Sequence, residues 1–172
     1  MKGIRKLPPV CLIISIIRLL TGRLRISKKY IDNSIRMENG KIFVIFRHIT
    51  IHPLARDNDG CVFIVSFKFA RLSHKLNKLT SIIPMLLISG YPGFVAKIYA
   101  VNPNDGFWQG MYQWKSIGHL EEYKRSFVFK MMNKRAIPET KNEFELPGLK
   151  LTDFIENKFY IPYKNEKSLK GE

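Results

Sequence analysis

Alternating apolar and polar positions divide the middle of the chain into short strands. From Cys61 to Phe69, apolar side chains occupy both alternating sets of positions, as in a strand covered on two faces. A second strand is expected from Phe94 to Val101. Residues 102–106, Asn-Pro-Asn-Asp-Gly, are turn formers, and the return strand runs from Phe107 to Trp114. The pattern predicts a hairpin.

Helical periodicity flanks this hairpin on both sides. Downstream, apolar residues recur every three or four positions from Ile117 to Met131, after the candidate N-cap Ser116, and a break is expected near Ser126. Upstream, an apolar helical stripe should be kinked or split at Pro84. The members of this stripe are Leu72, Leu76, Leu79, Ile83 and Leu86.

The order of these elements predicts the fold class. A strand, a helix, a hairpin and a helix follow one another, and a last strand around Asn142 to Leu146 would complete a β-α-β-β-α-β unit. We therefore predict an α+β protein with a ferredoxin-like domain in residues 31–163. An N-terminal apolar and basic helical arm would occupy residues 1–30, and residues 164–172 would form a disordered tail.

Glycine and aromatic residues of the hairpin and its flanks form a distinctive set. They comprise residues 63–70, the segment 90–94 (Gly-Tyr-Pro-Gly-Phe), Lys97, the segment 110–114 (Gly-Met-Tyr-Gln-Trp), Tyr123 and Ser126. Over roughly residues 42–155 the chain resembles the dimeric α+β barrel superfamily, near its small monooxygenase-like branch. The resemblance implies a homodimer whose two sheets face each other, with a cavity between sheet and helices. Some relatives oxidise aromatic substrates without metal or flavin, others bind or degrade haem, and others have no known activity.

Side chains of the hairpin and the helices are the candidate site. Cofactor-independent oxygenation needs a group that deprotonates or holds a substrate anion in a dry cavity. His119, Tyr112 and Lys97 are chemically suited to these catalytic roles. The candidate pocket residues are Tyr99, Trp108, Trp114, His74, Arg47 and His48. Alternating Trp and Tyr residues are also typical of a core or a dimer interface, and a histidine near a helix start can be a surface or capping residue.

The strand predicted from Phe43 to Ile51 carries two histidines and an arginine. His48 and His52 share a face with Thr50, and this pair could orient a substrate or face solvent at the strand end. Arg47 is expected on the opposite face, together with the apolar positions 43, 45, 49 and 51. It could pair with an anionic ligand or with a carboxylate.

The N-terminal arm combines an apolar run with basic residues. The segment from Val10 to Leu20 is too short for a membrane span, and eight Lys or Arg residues precede the first acidic residue, Asp32. We hypothesise that Leu7–Lys29 binds an anionic membrane surface, which would place a cytoplasmic protein at the inner face of the membrane. The alternative is that the arm docks on the domain through Leu12, Ile13, Ile16, Ile17 and Leu20.

Charge and composition restrict the other partners. The formal net charge of +15 raises nucleic acid as a partner, but no nucleic-acid-binding motif accompanies it. Cys11 and Cys61 are expected as buried thiols, and the histidines form no metal-ligand cluster. The resemblance therefore implies a cofactor-independent, monooxygenase-like protein that acts on or binds an apolar or aromatic small molecule. The alternatives are a protein that binds or degrades haem, with His74 or His119 as the iron ligand, and a non-catalytic binding protein at the membrane.

Overall fold

The computed structural model describes residues 4–37, 39–53, 60–71, 73–156 and 160–161. Within these ranges, eight strands form a single antiparallel sheet in the order β7-β4-β6-β5-β3-β2-β8, with β1 paired to β3 as well. The strands are β1 (Leu24–Ile26), β2 (Ser34–Arg36), β3 (Ile42–Ile51), β4 (Cys61–Phe67), β5 (Phe94–Val101), β6 (Trp108–Trp114), β7 (Asn142–Pro147) and β8 (Tyr160–Ile161).

The helices begin and end at the local signals in the sequence. They are α1 (Pro8–Leu20), α2 (His74–Thr80), α3 (Ile82–Ser89), α4 (Ile117–Lys124), α5 (Phe127–Asn133) and α6 (Leu151–Phe154). The side chains of Ser73, Ser116 and Ser126 cap three of them, each accepting a hydrogen bond from the backbone N–H three residues later. The predicted break at Ser126 is confirmed, and the predicted split occurs at Ser81, three residues before Pro84.

A ferredoxin-like unit forms the centre of the molecule. Its chain order is β4, α2–α3, β5, β6, α4–α5 and β7, and its four strands lie in the spatial order β7-β4-β6-β5. This confirms the predicted α+β class and the β-α-β-β-α-β unit. Strand β3 extends the sheet beyond β5, and β1 and β2 pair with β3 in turn. The N-terminal arm therefore joins the sheet through β1.

Buried clusters cover both faces of this sheet. The first cluster lies under the helices and includes Phe63, Trp114 and Tyr123. The second lies on the opposite face, where Val62 and Met111 are fully buried beneath residues of the same chain: Tyr30, Ile35, Leu151, Phe154 and Ile155. The resemblance implies that this second face meets the sheet of a partner. In this structure the chain itself buries it, and the homodimer stays a prediction.

A register shift in β3 changes the faces that the sequence pattern assigned. Uninterrupted alternation predicts that Arg47 shares a face with Ile45, but the pairing of β3 with β5 shifts between these two residues. Ile45 therefore belongs to the second cluster, whereas Arg47 lies opposite Tyr99 on the helix face. After the shift, His48 and Thr50 lie on the same face as the second cluster, opposite Ile98 and Ala96.

Candidate functional site

A cavity of about 660 Å³ opens on the sheet face that carries the second cluster. Its apolar lining includes Val95, Ala96 and Leu151, and the aromatic residues Tyr30 and Trp114 also contribute. The resemblance placed the cavity between the sheet and the helices, and that expectation requires correction. The side chains of the first cluster fill that space, because aromatic residues from β4, β6 and α4 pack there ring against ring.

Three polar residues at the end of β3 line this cavity. His48 and Thr50 are buried, with 8% and 6% of their surfaces exposed, and His52 follows just beyond the strand. The imidazole of His48 lies 5.2 Å from the ring of Tyr30, centroid to centroid. Among the described residues, neither Nδ1 of His48 nor Oγ1 of Thr50 has a hydrogen-bond partner. The cavity wall therefore offers polar atoms that a ligand or a water molecule could satisfy.

The protonation state of His48 follows from its surroundings. Burial, assisted by the positive charge of Lys29, lowers the pKa of His48 to about 4. The imidazole is therefore neutral at pH 7. A neutral imidazole has one ring nitrogen that can accept a hydrogen bond or a proton, but a pKa of about 4 makes His48 a weak base before a ligand binds. A substrate anion beside the ring would raise this pKa, because the opposite charge stabilises the imidazolium.

Lysine side chains give the cavity a positive lining. Lys29, Lys115 and Lys150 contribute to it, against the single described carboxylate among the lining residues, Asp153. Outside the lining, Glu156 accepts hydrogen bonds from Lys29 Nζ at 2.5 Å and from the Tyr30 hydroxyl at 2.6 Å. These contacts lower the pKa of the Glu156 carboxyl and connect the segment directly after α6 to Lys29 and Tyr30. The lining therefore favours an anionic group on an otherwise apolar ligand.

Gln113 on β6 positions the segment that closes the cavity. Its side-chain oxygen accepts a hydrogen bond from the backbone N–H of Leu151, and its amide nitrogen donates to the carbonyl of Leu149 at 3.4 Å. A Cβ on Gly60 would lie 2.5 Å from that amide nitrogen, so the glycine leaves room for it. Sequence reasoning missed this role. The available signal was a glutamine in a strand that is otherwise buried on both faces.

Two of the predicted catalytic residues lie together on the helix face of the sheet. The Nζ atom of Lys97 lies 3.9 Å from the ring centroid of Tyr99 and 4.2 Å from that of Tyr112. Lys97 is 4% exposed, and burial, together with the charge of Arg47, lowers its pKa well below the usual value. The lysine and both tyrosines are thus buried within the first cluster, and none of them lines the cavity.

The third predicted catalytic residue, His119, lies at the start of α4. Its Nδ1 is 2.9 Å from the hydroxyl of Ser116, and its ring packs on Gly93, where a Cβ would lie 2.2 Å from Cγ. Gly93 lies before the start of β5, whereas Nζ of Lys97 lies between the rings of Tyr99 and Tyr112. His119, Tyr112 and Lys97 therefore do not form one catalytic group.

The other predicted pocket residues divide between the core and the cavity. Trp114 stacks on Tyr123 at 4.7 Å and also reaches the cavity, whereas Trp108 packs edge-on against Phe46 and Phe69. Of the predicted residues, only His48 and Trp114 are therefore among the described residues that line the cavity, and the Trp114 ring itself packs in the first cluster. His74 begins α2, and its side chain lies outside the described part.

Within the described ranges Arg47 contacts no carboxylate, and it is not among the residues that line the cavity. Its guanidinium donates to the Ser81 hydroxyl at 2.8 Å and to the Lys78 carbonyl at 3.2 Å. These contacts tie β3 to the junction of α2 and α3, and the pairing of Arg47 with an anionic ligand stays a prediction. No group of three or more potential metal ligands occurs among the described residues.

Comparison with known proteins confirms the fold of this chain and assigns no activity to it. No family model matches the sequence, and no curated protein matches it significantly. Among solved structures, one match is a ferredoxin-fold protein of Listeria monocytogenes related to antibiotic biosynthesis monooxygenases. It has a TM-score of 0.51 and 9% sequence identity, and the match covers 79% of this chain and 89% of that one.

Two further solved structures match with lower scores. A monooxygenase-like protein of Listeria innocua has a TM-score of 0.48 and 13% identity, and the match covers 63% of this chain and 65% of that chain. A haem-degrading enzyme of Listeria monocytogenes has a TM-score of 0.47 and 12% identity, with coverage of 76% and 90%. At these identities the likeness concerns the fold alone.

Proposed function

We propose that this protein has a monooxygenase-like function without a bound cofactor. The proposal is based on its ferredoxin-like fold, which is that of the dimeric α+β barrel superfamily. The substrate would be an apolar or aromatic small molecule with an acidic group. It would bind in the cavity beside β3. The observation that carries this proposal is the buried, neutral His48 in an apolar cavity whose lining includes three lysines.

The chemistry follows from the groups that line the cavity. The substrate anion that forms beside the ring would raise the pKa of His48, and this would allow the imidazole to take the proton of a phenol or of an activated CH₂ group. The lysines would stabilise the same anion. An electron-rich carbanion can react directly with O₂. In the overall reaction a CH₂ group and O₂ give a carbonyl group and water, so no external reductant is needed. The apolar walls would keep bulk water from the peroxide intermediate.

The haem alternative receives no support from the cavity. It relied on a helix histidine as the iron ligand, but His119 contacts Ser116 and Gly93 instead of lining the cavity. The side chain of His74 lies outside the described residues. We therefore derive no haem chemistry for this protein. A non-catalytic binding protein would use the same cavity. The two roles differ in turnover, because only an oxygenase would consume oxygen.

The test combines binding with oxygen consumption. Anilinonaphthalene sulfonate, an aromatic anion, serves as the binding probe, and a hydroxyanthrone with an activated CH₂ group serves as the substrate in an oxygen electrode. We expect His48→Gln to lower oxygen consumption at least about tenfold, since a general base contributes about 10²–10⁴-fold. The matched control His119→Gln should retain turnover. Binding without turnover in the unaltered protein would indicate a binding protein, and equal losses in both variants would contradict the role of His48.

A further inference from the structure

Helix α1 contacts the rest of the protein through small and polar residues. A Cβ on Gly90, directly after α3, would lie 1.8 Å from the carbonyl oxygen of Cys11, so the two backbones touch. The hydroxyls of Ser15 and Ser89 are 2.5 Å apart, and Arg18 donates to the Ser89 carbonyl. Cys11 and Ser15 are fully buried. The face of α1 formed by residues 11, 15 and 18 is therefore the buried one.

The opposite face of α1 is aliphatic and exposed. Successive helical residues are about 100° apart, which places residues 13, 16, 17 and 20 opposite the buried stripe. Their exposed fractions are 57% for Ile13, 43% for Ile16, 55% for Ile17 and 81% for Leu20. Leu12, the fifth side chain of the docking alternative, packs partly buried against the first cluster. Helix α1 therefore docks on the domain through Leu12 and the buried stripe, and not through these four side chains. An ordinary surface helix buries its apolar face, whereas α1 exposes its most aliphatic face to solvent.

Helix α2 and the first turn of α3 also expose aliphatic side chains, although α3 buries Met85, Leu87 and Ile88 in the first cluster. The predicted apolar stripe includes Leu76, Leu79 and Ile83, which are 42%, 63% and 63% exposed. The positions buried instead include the polar residues Asn77 and Ser81. We refer to the exposed aliphatic side chains of these three helices together as the aliphatic patch: Ile13, Ile16, Ile17, Leu20, Leu76, Leu79 and Ile83.

Basic side chains accompany the aliphatic patch. Arg5, Arg23, Arg25 and Lys28 are exposed near α1, and no acidic residue occurs in the sequence before Asp32. On the α2 side, two further exposed cations, at positions 71 and 75, occur in the sequence next to the patch residues. Two copies of this surface would bring like charges together, which disfavours self-association. Aliphatic side chains bordered by cations are instead complementary to an anionic lipid surface.

We propose that the aliphatic patch binds the surface of an anionic membrane, with α1 lying in the plane of the interface. The isoleucine and leucine side chains would enter the boundary between headgroups and acyl chains, and the flanking cations would contact the headgroups. Helix α1 has 13 residues and is about 20 Å long, whereas the hydrocarbon core is about 30 Å thick. Of the helices described, none meets the length and hydropathy needed for a membrane span.

Vesicle binding of the full chain tests this proposal. One set of vesicles contains phosphatidylcholine alone, and the other adds about 30 mol% phosphatidylglycerol as the anionic lipid. We expect at least about tenfold tighter binding to the anionic vesicles. The double variant Ile13→Gln/Ile17→Gln should lose at least about tenfold of that binding. The matched control Phe127→Gln/Phe144→Gln alters two side chains that are 62% and 55% exposed outside the patch, and it should bind normally.

A second pair of variants separates position from net charge. Arg23→Gln/Arg25→Gln and Lys130→Gln/Lys134→Gln remove the same charge from exposed sites, but only the first pair lies beside α1. We expect only the first pair to weaken binding to anionic vesicles. Absence of vesicle binding, or equal losses in patch and control variants, would overturn the proposal. So would a dimer of the unaltered protein that the Ile13→Gln/Ile17→Gln variant dissociates in sedimentation velocity, because a second copy would then cover the patch.

Discussion

At the scale of single residues, His48 combines burial with an unsatisfied polar atom. A buried polar group without a hydrogen bond costs about 1–3 kcal/mol. Among the described residues, Nδ1 of His48 has no hydrogen-bond partner, and Oγ1 of Thr50, two positions along the strand, has none either. Both residues line the cavity. A ligand that hydrogen-bonds to them would offset this cost, which is why we assign the site to this wall.

The lowered pKa of His48 predicts a pH dependence of stability. Between pH 6.5 and about 4, the unfolded state binds a proton at His48 that the folded state does not bind. The free energy of unfolding should therefore fall as the pH is lowered through this window, by on the order of 3 kcal/mol. Urea denaturation at several pH values measures the slope. His48→Gln should flatten it, while Thr50→Val, in the same wall, should keep it; equal slopes for His48→Gln and the unaltered protein would contradict this account.

At the scale of elements, the contact of α1 with α3 depends on a glycine. Gly90 has a φ of −85°, which any residue adopts, so its importance lies in the 1.8 Å that would separate an added Cβ from the carbonyl oxygen of Cys11. That neighbour is backbone and belongs to a regular helix, so it cannot move by rotating a side chain. The position of α1 is thus set by the absence of a single methyl group.

We predict that Gly90→Ala displaces α1 and lowers the free energy of unfolding by more than about 2 kcal/mol. The control is Gly118→Ala within α4, where an added Cβ would have only the Ser116 hydroxyl nearby, at 3.8 Å. That substitution should stabilise the protein by about 0.4–1 kcal/mol, because alanine restricts the unfolded chain and favours helix. Thermal and urea unfolding measure both. Equal stability of the two variants would argue against close packing at Gly90.

At the scale of the whole molecule, the chain covers both faces of its own sheet. Residues 30–35 and 151–155 lie over the face that the resemblance assigns to a dimer interface. On this face Val62, Ile98 and Met111 are fully buried by residues of the same chain. Opening this face to a second sheet would expose the residues that now cover it. A homodimer, if it forms, would more readily use another surface.

The substitution Met111→Lys tests this arrangement. In a dimer of facing sheets, a lysine at this position would yield folded monomers. In the self-covered sheet it places an unpaired charge in a closed core and should lower the free energy of unfolding by more than about 3 kcal/mol. Circular dichroism and sedimentation velocity distinguish these results, and a fully folded monomeric variant would favour the facing-sheet dimer.

The sequence by itself determined the features that depend on neighbours within a few residues. The turn at 102–106, the serine caps at 116 and 126, and the split near Pro84 all follow from local backbone chemistry. The order of these elements then predicted the ferredoxin-like unit, because short connections allow few topologies.

Tertiary structure alone decided which faces are buried and where the cavity lies. The register shift in β3 moved Arg47 to the helix face and left His48 beside Ile98. The cavity joins Lys29, His48 and Leu151, which are far apart in sequence, and its closure depends on a glutamine that binds a segment 38 residues away. Periodicity shows that a helix has an apolar face but not what that face contacts. For this reason the outward aliphatic faces of α1 and α2 were decided by packing, where the close approach at Gly90 turned the small side of α1 inward.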